Sequence, residues 1–253
     1  MREDRIAAAA GVATIAAMIA TPLLPQGSLA RKVLSSVVVT GLFVNTTANA
    51  ARAWGTRRAG TAAAATAVTT GLVERIGTHT GFPFGRYAYT AALRPQIGHV
   101  PVIVPMAWFA MALPAREAAH AALGEHSTRV TRTALASAAM TAWDLFLDPQ
   151  MVGEGYWAWV RRGVYRGIPV TNYVGWFVTG IGVMVMLDVL LPPRPQQPGD
   201  GRLVGTYSYM AVMETLGFAR YFRDPLVATI GGLGMLPVAA AAVTRKSIAR
   251  TAQ

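Results

Sequence analysis

The chain has 253 residues, 53% of them apolar and only 14% charged, with a mean hydropathy of +0.37. Soluble domains carry about 25% charged residues, so this chain has too little charge to coat a water-facing surface, and it reads as a membrane protein. The net charge of +11 comes from arginines scattered over nearly every loop, which fits headgroup contact rather than nucleic acid, and the lack of cysteine excludes disulfides, thiolate metal sites and a cysteine nucleophile.

Apolar runs fall at about 6–24, 33–54, 60–77, 100–118, 130–147, 173–191, 203–221 and 226–243. A bilayer core takes about 20 helical residues. The expectation is therefore an all-α polytopic bundle of about eight spans, seven being acceptable, in one integral membrane domain covering 1–253. The first run is read as a retained helix rather than a cleaved leader. Two longer stretches, 78–99 and 148–172, are rich in Gly, Pro, Trp, Tyr and Arg and suit the headgroup zone or a re-entrant segment. Residues 192–201 form a Pro-rich linker, expected to be stiff and solvated. Near the C-terminus, Gly231-Gly232-Leu233-Gly234 lies inside an apolar run, where close helix packing explains it better than a nucleotide fingerprint. The four histidines, His79, His99, His120 and His126, have no helical metal spacing, so no metal site is expected.

Ionisable groups inside spans are costly and call for a reason. Four acids stand out: Glu74, Asp144, Asp148 and Glu214; Asp188 sits near a span end, at headgroup level. Asp144 and Asp148 are four apart and share a helix face. Two adjacent carboxyls in a poorly hydrated place cannot both ionise easily, so such a pair holds a proton, as acid–base chemistry requires. The competing view is that Asp148 only ends its helix before Pro149. Glu214 shares a face with Tyr207 and Tyr221, and a structural bond to a tyrosine or arginine is the stronger reading for it; for Glu74 the plain alternative is an ion pair with Arg75. Thr171 or Asn172 reads as a helix N-cap on spacing alone. Trp108, Trp143, Trp157, Trp159 and Trp176 read mostly as belt residues, some of them cavity-lining, where a ring face can stabilise a cation.

Several blocks are familiar: Glu74-Arg75-Ile76-Gly77, Gly81-Phe82-Pro83-Phe84-Gly85-Arg86-Tyr87-Ala88-Tyr89, Val100 to Phe109, Thr141-Ala142-Trp143-Asp144-Leu145-Phe146-Leu147-Asp148-Pro149-Gln150-Met151, and Gly167 to Phe177. With them the chain closely resembles the CruF-type carotenoid 1,2-hydratases, over a family-like core of roughly 70–222. The resemblance implies addition of water across the terminal C1=C2 double bond of a ψ-end group on an acyclic or monocyclic carotenoid. Protonation at C2 leaves a tertiary cation at C1, which water captures. A buried carboxylic acid can supply that proton and aromatic faces can hold the cation. No redox change occurs, so no cofactor is needed. The expected catalytic set is Asp144, Asp148, Glu74 and Glu214, with one member of the aspartate pair as general acid and the other activating water. The expected substrate-binding set is Tyr87, Trp108, Trp143, Asn172 and Trp176. The partners are a carotenoid, membrane lipid and other carotenoid-pathway enzymes, and the site of action is the cell membrane. Rival readings are a proton-coupled transporter or channel, a cofactor-free carotenoid isomerase, and a scaffold for other pathway enzymes.

Overall fold

A computed structural model describes residues 2–124, 127–194 and 198–251, the side chains of 249–251 excepted. His126, Pro195, Gln196 and Gln197 lie outside the described residues. Eight α-helices follow in order among them: α1 (Arg2–Ala20), α2 (Leu29–Trp54), α3 (Thr56–Thr80), α4 (Ile103–Leu123), α5 (Arg129–Gly153), α6 (Val170–Leu190), α7 (Gly201–Arg220) and α8 (Pro225–Thr251). Each lies on one of the apolar runs. Four, α1 with its 3-10 extension, α2, α6 and α8, are long and apolar enough by themselves to cross a membrane. The others carry more polar residues but turn key ones inward: Glu74 on α3, Glu117 on α4 and Asp144 and Asp148 on α5 are all buried. Apolar side chains face out on the opposite side. Val68, Leu72 and Ile76 form an exposed stripe four residues apart on α3, and Val170, Val174 and Val178 do so on α6, as a lipid-facing surface demands.

The centre of the bundle is α4, on which every residue from Ala107 to Ala121 is buried. It contacts α2, α3, α5, α6, α7 and α8, whereas α1 packs mainly on α2. Three helices run through a proline, α4 at Pro114, α5 at Pro149 and α8 at Pro237. Pro114 removes the N–H that would bond the carbonyl of Ala110, and the Thr46 hydroxyl donates to that carbonyl instead at 2.8 Å. Pro149 similarly frees the carbonyl of Leu145, which accepts from the Tyr165 hydroxyl at 2.9 Å. Asp148 therefore does not end its helix; α5 continues to Gly153. In α8 the glycines are packing points: a side chain at Gly231 would strike the Phe146 ring, and one at Gly234 would strike Ala142.

The all-α bundle also carries short strands in its inter-helix stretches. Two short antiparallel pairs occur: β1 (Tyr87–Tyr89) with β4 (Trp157–Trp159), and β2 (Gln96–Ile97) with β3 (Val100–Pro101). The first joins the two aromatic inter-helix stretches in the register Tyr87–Trp159 and Tyr89–Trp157. Strand alternation puts Tyr87, Tyr89, Trp157 and Trp159 on one face, towards the bundle.

A buried polar staple closes one end of α4. Asp188, near the end of α6, belongs to it: its Oδ1 lies 2.9 Å from Nε of Arg116, whose side chain is fully buried. Arg116 also donates to the carbonyl of Leu191 at 2.6 Å. The end of the Pro-rich linker is packed rather than solvated. Asp200 N donates to Glu117 at 2.7 Å, and its carboxylate pairs with Arg52 at 2.7 Å while capping α7.

Candidate active site

Asp144 and Asp148 project from the same face of α5 into the bundle, with 0% and 2% exposure. Asn172, 1% exposed on the first turn of α6, faces them. Its side-chain amide donates to Asp144 Oδ2 at 2.9 Å and to Asp148 Oδ2. The N-cap of α6 is Pro169 rather than Thr171 or Asn172, which leaves the Asn172 side chain free to clamp the two acids. The other oxygen of Asp148 accepts from Trp157 Nε1 at 3.1 Å. Asp144 Oδ1 has no hydrogen-bond partner among the described residues.

Glu74 reaches the same region from α3. Tyr87 and Tyr89 both donate to its Oε2, Tyr89 at 2.7 Å, and Trp108 Nε1 donates to Oε1 at 3.1 Å. Arg75 points elsewhere and bonds the carbonyl of Gly98, so no ion pair with Glu74 forms. A carboxyl that accepts three donors and has nothing to donate to is arranged as an acceptor. Trp108 and Trp176 stack at 4.0 Å with an interplanar angle of 14°, and Trp143 meets Trp176 edge-on at 6.3 Å. All five tryptophans, read mostly as belt residues with some lining a cavity, are buried; buried indole N–H groups need acceptors, and Trp108, Trp157 and Trp159 find them in Glu74, Asp148 and the carbonyl of Phe84.

These groups line two adjoining cavities. A narrow one of about 40 Å³ is bounded by Glu74, Asp148, Asn172, Tyr87, Trp108 and Trp176, among others. That volume holds only a few water-sized groups. A larger cavity of about 330 Å³ lies beside it, and Val39, Ile103, Ala107, Leu147 and Met151 line both. The structure thus brings together Glu74, Asp148, Asn172, Tyr87, Trp108 and Trp176. Asp144 is not among the residues lining either cavity and meets the site through Asn172. Trp143 and Glu214 line the larger cavity instead. Glu214 makes neither of the bonds expected of it: the Tyr207 hydroxyl donates to the carbonyl of Ala139, and no hydrogen bond or ion pair to Glu214 occurs among the described residues.

Sequence reasoning missed Tyr89 as a partner of Glu74 and Trp157 as a partner of Asp148. The signal was present in Tyr87-Ala88-Tyr89 and Trp157-Ala158-Trp159, two aromatic–alanine–aromatic triplets with the period of a strand.

The fold and site define a helical membrane protein built around buried carboxyls held by indole, phenol and amide donors. The chain belongs to the carotenoid biosynthesis protein family, whose model matches residues 31–237. Over 134 residues it is 33% identical to the bisanhydrobacterioruberin hydratase of Haloarcula japonica, a stretch covering 52% of this chain and 45% of that protein. The match thus spans less than half of that relative's length. Both findings agree with the resemblance to CruF-type hydratases. No solved structure matches the chain.

Proposed function

We propose that the protein is a multi-pass cell-membrane hydratase that adds water across the terminal C1=C2 double bond of a ψ-end group on an acyclic or monocyclic carotenoid. The observation that carries this reading is a narrow acid-lined cavity adjoining a wider, mostly apolar one, with five residues lining both. The end group would occupy the first and the polyene would extend into the second.

Asp148 is the general acid, because it is the member of the aspartate pair on the cavity wall. It transfers a proton to C2 and a tertiary cation develops at C1. The Trp108–Trp176 stack borders the cavity, where ring faces stabilise such a cation. Glu74 takes a proton from the water that attacks C1, and Tyr87, Tyr89 and Trp108 orient its oxygens. The proton gained by Glu74 then returns through the cavity to Asp148. One C–H and one C–O bond form, one π bond and one water O–H bond break, and no net proton or electron is consumed. Asp144 and Asn172 are positioning residues: the amide clamp holds the two aspartates side by side, and two such carboxyls retain a proton between them.

This reading needs no cofactor. The relative's name supports carotenoid hydration, and the chemistry of the cavity supports acid catalysis. The test is expression in a bacterium that accumulates acyclic carotenoids, with mass analysis of the pigments. A product heavier by one water is expected. An isomer of unchanged mass, or no change with hydroxylated and unhydroxylated acyclic carotenoids alike, would refute it.

A further inference from the structure

The pairing of β1 with β4 continues one step past Tyr87 and Trp159, where Val160 N donates to the carbonyl of Arg86 at 2.9 Å. That step brings two cations from distant stretches of chain, Arg86 and Arg161, to one cavity of about 650 Å³, whose wall also includes Thr80, Trp159 and Thr171. Neither guanidinium has a hydrogen-bond or ion-pair partner among the described residues, and no acid among them lines the cavity. Other arginines at this end of the bundle are engaged: Arg31 with Glu154, Arg75 with the carbonyl of Gly98 and Arg166 with Asp224. The side chains that stand out around the cavity are apolar. Phe82 is 72% exposed, Val160 75% and Val170 63%.

Two unpaired guanidiniums facing one cavity recognise an anion, and their planar fork suits the oxygens of a phosphate. The apolar rim says which phosphate. Exposed apolar side chains beside cations on a membrane protein lie in the interfacial zone, where headgroups meet the first acyl carbons, and the phosphate at that depth belongs to a lipid. We propose that this cavity binds the headgroup of an anionic phospholipid, with Arg86 and Arg161 on the phosphate and the acyl chains over Phe82, Val160 and Val170. A zwitterionic lipid fits less well, because its own cation meets two arginines and no acid. The site adjoins the acid-lined cavity through Trp159, which lines both. Trp159 also bonds the carbonyl of Phe84 and pairs with Tyr87, so a lipid bridging Arg86 and Arg161 ties the two aromatic stretches together from outside.

Lipid binding by the purified full chain in detergent tests this without any carotenoid. Native mass spectrometry should show phosphatidylglycerol bound in preference to phosphatidylcholine. A basic side chain at an anionic headgroup is worth roughly fivefold in affinity, so Arg86→Gln and Arg161→Gln should each lose about fivefold and the double variant about 25-fold. The same charge change at Arg220 and Arg223, around the end of α7, should leave the preference intact. Phosphatidylglycerol should raise the Tm of wild type and not that of the double variant. Without lipid the two should melt alike, since neither arginine has a protein partner to orphan. Equal affinity of wild type for the two lipids overturns the proposal. So does a preference lost equally in the Arg220/Arg223 variant, which would mean diffuse surface charge. Displacement of the lipid by glycerol phosphate at equal concentration also overturns it, since the site would then take a free anion and not a lipid. These wild-type comparisons decide by themselves if the double variant does not fold.

Discussion

Replacing the two aspartates by asparagine should have unequal effects, and the hydrogen bonds show why. Asp148 accepts on both oxygens, from Asn172 on one side and Trp157 on the other. Asparagine has one acceptor oxygen, so Asp148→Asn must turn its NH₂ towards one of two buried donors and leave that donor unpaired. A buried unpaired donor costs about 1–3 kcal/mol, and in a protein of this size each kcal/mol lowers Tm by about 2–4 °C. Asp144 accepts from Asn172 on Oδ2 only, and Oδ1 is unpartnered. Asparagine fits there with its oxygen on Asn172 and its NH₂ where Oδ1 already lacks a partner, so Asp144→Asn leaves one buried group unpaired against two in Asp148→Asn and should melt above it. Both variants lose a carboxyl from the proton-holding pair, and each should hydrate at least about 10²-fold more slowly, the scale of losing a general acid. The assay is product formed per mole of folded protein, with folding followed by thermal unfolding in detergent. Equal melting of the two variants would refute the hydrogen-bond argument. Near-wild-type hydration by Asp148→Asn would remove Asp148 from the acid role.

Asn172→Leu removes the donor that both aspartates share, and it should lower hydration about 10²-fold and stability by about 1–3 kcal/mol; unchanged kinetics would show that the clamp does nothing for the reaction. Arg116→Met leaves Asp188 and Glu117 without their buried cation, so a loss of about 3–5 kcal/mol is expected, with the rate per folded molecule intact. A rate that fell with stability intact would place the staple in the site. For Asp200, burial favours a higher pKa, but Arg52, Arg194 and the N–H groups of Arg202 and Leu203 outweigh it and hold the carboxyl below its usual value. A depressed carboxyl adds stability above its unfolded pKa, about 3.9, and loses it as pH falls through the lower folded value. Asp200→Asn, which still caps a helix, should therefore be less stable than wild type at pH 7 and converge on it below about pH 4. A gap that stays constant from pH 7 to pH 3 would refute the ion-pair account.

The eight helices were legible because each is an apolar run of bilayer length, and the Asp144–Asp148 pair was legible because a spacing of four is a property of one helix. What failed depended on groups brought in from elsewhere. Pro149 looks like a helix stop when only its missing N–H is considered; the helix continues because Tyr165, sixteen residues on, satisfies the freed carbonyl. Thr171 and Asn172 look like caps for the same local reason, and nothing near them in the chain says that Asn172 meets two acids on α5. Glu74 next to Arg75 suggests an ion pair, yet its three partners come from β1 and α4.

The short β1–β4 ladder matters more than its length suggests. A helix alone could carry one acid into the bundle, but three of the donors for Glu74 and Asp148, Tyr87, Tyr89 and Trp157, lie outside the spans, in the two aromatic stretches. Pairing Tyr87 with Trp159 and Tyr89 with Trp157 folds both stretches back onto the helices. It places Tyr87 and Tyr89 on Glu74 while Trp157 reaches Asp148. The ladder therefore couples the carboxyl on α3 to that on α5 through one rigid pair of strands. In the proposed reaction these two groups exchange a proton across the end group, and the distance between them must be held during catalysis. A change that breaks the ladder without touching a carboxyl, such as Ala88→Pro, should thus impair hydration more than any single tyrosine-to-phenylalanine change. Proline at position 88 puts strain on a three-residue strand and disturbs both arms at once, whereas Tyr89→Phe removes one of Glu74's three donors and leaves the other two in place. If Ala88→Pro, folded by gel filtration, hydrates as well as Tyr89→Phe, the strands are only a lid and the acids keep their spacing from the helices alone.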